Sequence, residues 1–369
     1  MKDDEKPITE EEKQKRIAEK DRLVRILSID GGGIRGILAG QILVSLEERI
    51  RQRTGNPNAK IAEYFDLIAG TSTGGILACI CLAPDPQNPT KPLYSAQEAV
   101  QLYMKNGKKI FTQSTWHKIR TLFGIIEERF PSRGMEEVLK DYLGDLELKD
   151  LVKPCLITSY DIEQGKPNFF SQHKARKDPN RNFLVREVAR ATSAAPTYFE
   201  LALATSKTNI AFPLIDGGVF ANNPTLCAYA EARQLDFGLG REKPSAREMF
   251  IFSLGTGTTD KSYKYKKVKK WGVLEWIKPL IDIMMDGVSQ TVDYQLRQIY
   301  DAINCSEQYV RINPGRGGAR SDMDDAEDDN LNALLRAGYA SSETHSRTLD
   351  RVVEVLLQNH TNEDVKVMQ

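Results

Sequence analysis

Twice within its first 82 residues the chain runs an apolar strand into a glycine-rich turn and straight out into a helix. Val24 to Ile29 is a short, β-branched apolar run, the signature of a buried strand. Gly31-Gly32-Gly33-Ile34-Arg35-Gly36 follows it, and Leu38, Ile42, Leu46 and Ile50 then recur at the spacing of one helix face. The second unit is Phe65 to Ala69 as strand, Gly70-Thr71-Ser72-Thr73-Gly74 as turn and Gly75 to Leu82 as apolar helix. The alternation continues. Strands are expected at Cys155–Tyr160, Phe212–Ile215, Met249–Leu254 and Tyr309–Ile312. Helices are expected from Ser95 to about Lys108, at Phe183–Ser193, at Thr225–Leu235 and over most of Leu331–Gln358, and four prolines between Pro84 and Pro92 predict a loop. Strands alternating with helices imply the α/β class, with a largely parallel sheet covered on both faces. No repeat and no linker divides the chain, so residues 23–369 are expected to form a single domain behind a charged arm at 1–22.

Composition narrows the function. The 369 residues carry 51 Lys plus Arg against 51 Asp plus Glu, a balance that argues against a general nucleic-acid binder. The arm has 15 charges in its 22 residues and no apolar stretch for a secretory signal, although Thr9 with Glu12 forms a capping box for a short helix from Glu10. The most apolar run, Ile68–Ala83, is 16 residues long and interrupted by glycines and hydroxyls, too short for a spanning helix. Cys79, Cys81, Cys155, Cys227 and Cys305 show no zinc spacing, and the expectation is a reduced, cytoplasmic protein without metal or cofactor.

Gly70 to Gly74 matches G-x-S-x-G between a strand and a helix, where such a turn lifts a serine hydroxyl above the sheet edge. The following helix aims its positive end at Ser72. Serine needs a base. His117, His173, His345 and His360 all lie in polar segments, away from the strand ends where sites of open α/β sheets gather. Asp216 ends an apolar strand before Gly217 and Gly218; it is either a turn-forming aspartate or a base whose pKa burial has raised. The Gly31–Gly36 loop also has two readings. It fits the dinucleotide fingerprint, but its nearest acid, Asp66, comes 30 residues after Gly36 and at a strand start. Alternatively, successive glycine amides make an oxyanion pocket, with Arg35 able to pair a phosphate.

Three blocks resemble the signatures of the patatin-like phospholipases, in the family's order: Ser28 to Gly36, Gly70 to Gly75, and Asp216-Gly-Gly-Val-Phe-Ala-Asn-Asn-Pro224. Ala191–Phe199, Ser253–Gly257, Trp271-Gly272 and Asp322–Ala326 are similar too, so the resemblance spans Val24 to Leu357. It implies a three-layer α/β/α fold with a nucleophile elbow, and a lipid acyl hydrolase with a Ser72–Asp216 dyad and no catalytic histidine. It further implies an oxyanion hole at Gly31, Gly32 and Gly33 with Arg35 beside it, supported by Gly36, Gly70, Gly74, Gly217 and Gly218. The substrate would be a phospholipid or other acyl lipid at a membrane surface. The chain departs from the plant storage patatins in its charged arm and missing signal, so a soluble bacterial enzyme is expected. Some bacterial members are antiviral effectors activated by a cyclic dinucleotide, an expectation for which no nucleotide pocket is legible. Homo-oligomerisation is a further expectation. Two competing readings remain: an α/β-hydrolase esterase using Ser72, Asp216 and His345, and a non-catalytic protein holding a nucleotide on the glycine loop.

Two charged stretches complete the sequence. Lys261–Lys270 holds six lysines and leads into an apolar stripe of Trp271, Leu274, Ile277, Ile281, Met284 and Val288, opposite Glu275, Lys278, Asp282 and Asp286. Such a segment fits either an anionic membrane surface or, the weightier reading, a core-packing helix behind a solvated lysine loop; Pro279 is expected to start a new helix. Asp322–Asp329 carries six acids but lacks the ligand and glycine pattern of a calcium loop, and is expected to favour a helix start at Asn330.

Overall fold

The strands β1 (Val24–Ile29) and β2 (Leu67–Gly70) lie side by side and parallel, and register fixes what their ends can do. The structure is a computed structural model that describes residues 22–111, 132–237, 243–257 and 263–358. The expected helix from Glu10, His117 and His360 lie outside the described residues. In order, the strands are β1, β2, β3 (Pro84–Asp85), β4 (Asn88–Pro92), β5 (Cys155–Asp161), β6 (Lys166–Ser171), β7 (Ala202–Thr205), β8 (Ala211–Asp216), β9 (Met249–Leu254) and β10 (Tyr309–Ile312). The helices are α1 (Gly36–Thr54), α2 (Thr73–Cys81), α3 (Ala96–Phe111), α4 (Arg133–Leu143), α5 (Gln172–Lys177), α6 (Val185–Thr192), α7 (Gly218–Ala221), α8 (Thr225–Ala232), α9 (Tyr265–Val268), α10 (Val273–Ala302), α11 (Asp328–Thr344) and α12 (Ser346–Leu357).

Among the described residues the main sheet has the order β10-β9-β1-β2-β5-β8-β7, with β6 also paired to β5. From β10 to β5 every pairing is parallel; β8, β7 and β6 join antiparallel. The patatin-like three-layer architecture with a mostly parallel sheet is therefore present. β1 is buried along its whole length, and its alternate residues enter two cores. Leu27 and Ile29 pack with Ile68, α1, α2 and α3 on one face; Val24 and Ile26 pack with Leu67, α8 and the end of α10 on the other.

Some elements differ from expectation. Pro84–Pro92 holds the short hairpin β3–β4, in which Pro84 faces Pro92 at the open end of the ladder and Asp85 faces Asn88 at the turn. The helix expected from Phe183 begins at Val185, and the one expected at Asn330 begins at Asp328. Pro279 does not start a helix: it lies inside the continuous α10. The start is set instead at Gly272, whose N–H donates to Glu275 Oε2 at 3.0 Å and so ties off an otherwise orphaned amide. The stripe on α10 is also turned: Asp282, expected on the solvent side, is buried. The five cysteines are free, with Cys79, Cys81 and Cys155 buried in the core. No described helix is long and apolar enough to cross a membrane.

Candidate active site

Register brings the sequence blocks to one height. Ile29 pairs with Gly70, and Gly70 with Ile157. Two residues further along, Gly31, Ser72 and Ser159 therefore share a row, and Ser159 pairs with Asp216. On the other side Ile29 pairs with Leu254, which sets Thr256 beside Gly31; its hydroxyl donates to the Gly31 carbonyl at 2.6 Å.

Ser72 sits on the turn between β2 and α2 with φ 54° and ψ −123°, a left-handed conformation rare for a residue with a side chain. Glycine at position 74 permits it, since a Cβ there would strike the Ile29 carbonyl oxygen. The turn is pinned on three sides. The Ser72 N–H donates to Thr192 Oγ1 at 2.9 Å, Thr71 Oγ1 donates to the Ala221 carbonyl at 2.6 Å, and Thr73 Oγ1 donates to Tyr103 Oη at 2.6 Å.

Asp216 is held on the same row. Its N–H donates to the Ala194 carbonyl at 3.0 Å, and its Oδ1 accepts from the Gly218 N–H at 2.7 Å. Its Oδ2 is buried with no hydrogen-bond partner. Burial pushes its pKa from the ordinary 3.8 up to about 7, against the opposing pull of the nearby Ser72 hydroxyl and the Gly218 amide. A carboxyl half-ionised near neutrality can both take and return a proton.

In the glycine loop, Gly33 has φ 58°, and a Cβ there would strike the Met323 carbonyl. The Ile34 N–H donates to that same carbonyl at 2.8 Å. Asp30, just before the loop, forms a two-point ion pair with Arg311, at 2.6 and 3.2 Å. The amide of Gly31 is committed: it donates to the Asn222 carbonyl at 3.0 Å. Those of Gly32 and Gly33 donate to no described residue. An oxyanion can therefore draw on Gly32 and Gly33 but not on Gly31. Arg35 lines a polar cavity with Asp30, Asn222, Asp286 and Arg297, its Nε bonded to the Gly32 carbonyl at 3.2 Å and its Nη1 buried unpartnered. Burial pulls its pKa down, and Asp286 and Asp282 oppose this.

Ser72, Asp216 and Gly33 open together into an apolar slot lined by Ile76, Ile110, Phe111, Met135, Phe199 and Met285. Neither described histidine lines it. His173 faces Glu231 at 3.2 Å, and His345 Nδ1 is 2.8 Å from the Ser341 carbonyl, lining the polar cavity instead. The acid a dinucleotide would need, Asp66, is occupied by Arg25, which holds it at 2.9 Å through Nε and again through Nη2, with Arg22 adding a contact at 2.8 Å. No cluster of metal-ligating side chains occurs among the described residues.

Fold and site together define an α/β protein with a serine on a tight strand-to-helix turn, sharing an apolar slot with a buried carboxyl group. The family model for patatin-like phospholipases matches residues 27–229, and the chain belongs to that family. Patatin-like protein 2 from Oryza sativa subsp. indica is 34% identical over 342 residues, covering 87% of this chain and 84% of the relative. Patatin-like protein 1 from Arabidopsis thaliana is 33% identical over 367 residues, covering 93% and 87%. A Solanum tuberosum relative described as probable inactive patatin-3-Kuras 1 is 32% identical over 332 residues, covering 86% and 85%. Membership supports lipid acyl hydrolysis as this chain's activity, and a relative described in those terms makes the state of the site residues decisive.

Proposed function

We propose that this protein hydrolyses the fatty-acyl esters of phospholipids through a Ser72–Asp216 dyad. The observation that carries the proposal is the unpartnered, buried Oδ2 of Asp216 on the row of Ser72, in a carboxyl with a pKa of about 7. Asp216 takes the Ser72 hydroxyl proton as Oγ attacks the ester carbonyl. The amides of Gly32 and Gly33 and the N-terminus of α2 stabilise the oxyanion that develops. Asp216 then gives its proton to the leaving alcohol, and an acyl-Ser72 remains. Water attacks that ester, Asp216 takes the water's proton, and collapse returns the proton to Ser72. The slot behind Ser72 is apolar, which suits a fatty-acyl chain and excludes water from the charged groups.

A triad esterase would need His345 in the slot, and that side chain faces elsewhere. Fatty-acid release from phospholipid vesicles, without added calcium, tests the proposal. Ser72→Ala and Asp216→Ala should each lose about 1,000-fold or more, while His345→Ala stays near wild type. Retained release in either dyad variant sinks the dyad; loss in His345→Ala favours the triad. Running the same assay with and without cyclic dinucleotides tests the expectation of a ligand-activated effector.

A further inference from the structure

In the middle of α10 two acids turn inward while three large apolar side chains turn outward. Asp282 is 7% exposed and Asp286 half-buried, whereas Leu280, Ile283 and Met284 are 48%, 43% and 42% exposed. Asp286 lines the chamber of Arg35, and the charges of Asp286 and Asp282 support its buried guanidinium. Positions 280, 283, 284 and 287 fall on one face of a helix. Gly287 continues that face outward, since a Cβ there would meet nothing within 4 Å. Single exposed leucines are ordinary. Three large apolar side chains on one face, with carboxylates turned inward, leave the helix an outer side that is apolar and exposed to solvent.

Two features say what that side meets. The first is continuity with the site: Met285, next to the exposed Met284, is 6% exposed and lines the slot with Ser72 and Asp216. The wall of the slot and the apolar face are two sides of one helix. The second is charge. Lys264, Lys266, Lys269 and Lys270 are exposed around α9, together with Tyr265 at 75% exposure. Aromatic contacts fasten this basic stretch to the start of α10: Tyr263 meets Trp271 at 5.2 Å between ring centroids, and Trp271 meets Trp276 at 5.1 Å. The exposed acid of this stretch, Glu275, is tied to the Gly272 amide.

We propose that the outer face of α10, Leu280, Ile283 and Met284, with Lys264, Lys266, Lys269 and Lys270, is the surface on which this protein docks onto an anionic lipid bilayer. The apolar side chains enter the acyl boundary while the lysines lie against anionic headgroups. An acyl chain leaving the bilayer then reaches the slot along the helix that carries both surfaces. The proposal rests on the lipid-hydrolase reading of the slot but is tested apart from it.

The probe is co-sedimentation of the full-length Ser72→Ala protein with sucrose-loaded vesicles, of phosphatidylcholine alone or with phosphatidylglycerol added. One variant adds Ile283→Asp and Met284→Asp; a second changes the four lysines to Gln. Each should weaken binding to the phosphatidylglycerol vesicles about tenfold or more, and high salt should reproduce the lysine effect. With Ser72 restored, both variants should hydrolyse a water-soluble short-chain ester as the unsubstituted protein does. Unchanged vesicle binding in both variants, or no vesicle binding by the Ser72→Ala protein itself, overturns the proposal. So does retained vesicle binding with loss of self-association in sedimentation velocity, which would make the face an interface between copies. Failure of the unsubstituted protein on the soluble ester would instead count against the catalytic reading and leave the docking result standing.

Discussion

Burial decides what Asp216 does and what it costs. With a pKa near 7 it is protonated in mild acid and cannot accept the serine proton. The kcat/KM for a soluble ester is predicted to rise with pH to a plateau, with an acidic limb near 7. A limb near 4 would mean that Asp216 is not the base. The same shift bears on stability. The folded protein holds the Asp216 proton more tightly than the unfolded chain, so this contribution is full below about pH 4 and lost as pH rises through about 7. Asp216→Asn, which has no charge to bury, is predicted to be more stable than wild type by about 2–4 kcal/mol at pH 8. Denaturant melts should show that gain fading between pH 7 and 4. Ser72 is strained as well, at φ 54°. Ser72→Gly should melt later than Ser72→Ala, by about 1 kcal/mol, because only glycine is at ease there; equal melting would argue that the turn relaxes. The turns at Ser72 and Asp216 were legible because glycines flank Ser72 and follow Asp216. The commitment of the Gly31 amide to Asn222 and of the Thr192 hydroxyl to the Ser72 amide was not, since both partners lie far away in the chain, at helix ends that only the tertiary fold brings in.

At the level of elements, the glycine loop is held by what flanks it. Arg311 on β10 grips Asp30 across β9 and also donates to Ser253 Oγ at 2.7 Å. Burial pushes the Asp30 carboxyl pKa up, and Arg311 opposes that. Arg311→Met would leave a buried carboxylate without its cation, at a cost of about 3–5 kcal/mol. Because the loop carries the free amides of Gly32 and Gly33, kcat should fall about tenfold or more with little change in KM. A loss of stability with kcat intact would make the pair structural only. Elements were legible where periodicity was clean, as in β1, β2, α1 and α2. They were obscure where tertiary contacts overrode local signals. Pro279 reads as a helix start, yet the surrounding helix tolerates it. Asp282 reads as solvent-facing on α10 and is buried instead, near Arg35, which is distant in sequence. β6 and β7 escaped notice because Lys166–Ser171 and Ala202–Thr205 lack a sustained apolar run and owe their strand form to pairing with β5 and β8.

For the molecule as a whole, the alternation of strands and helices gave the class, while strand direction at one edge depends on returns that alternation does not encode. β8 runs against β5, and this antiparallel step places Asp216 on the row of Ser72. The proposed pair thus lies where the parallel strands give way to the antiparallel edge. The central claim is that this architecture passes an acyl group through Ser72. The most direct test is to quench the protein during turnover of a fatty-acyl ester and map the acyl adduct by peptide mass. The account predicts one acyl group on the peptide bearing Ser72, absent in Ser72→Ala and sharply reduced in Asp216→Asn. Turnover with an adduct on another residue, or undiminished turnover by Ser72→Ala, would contradict it.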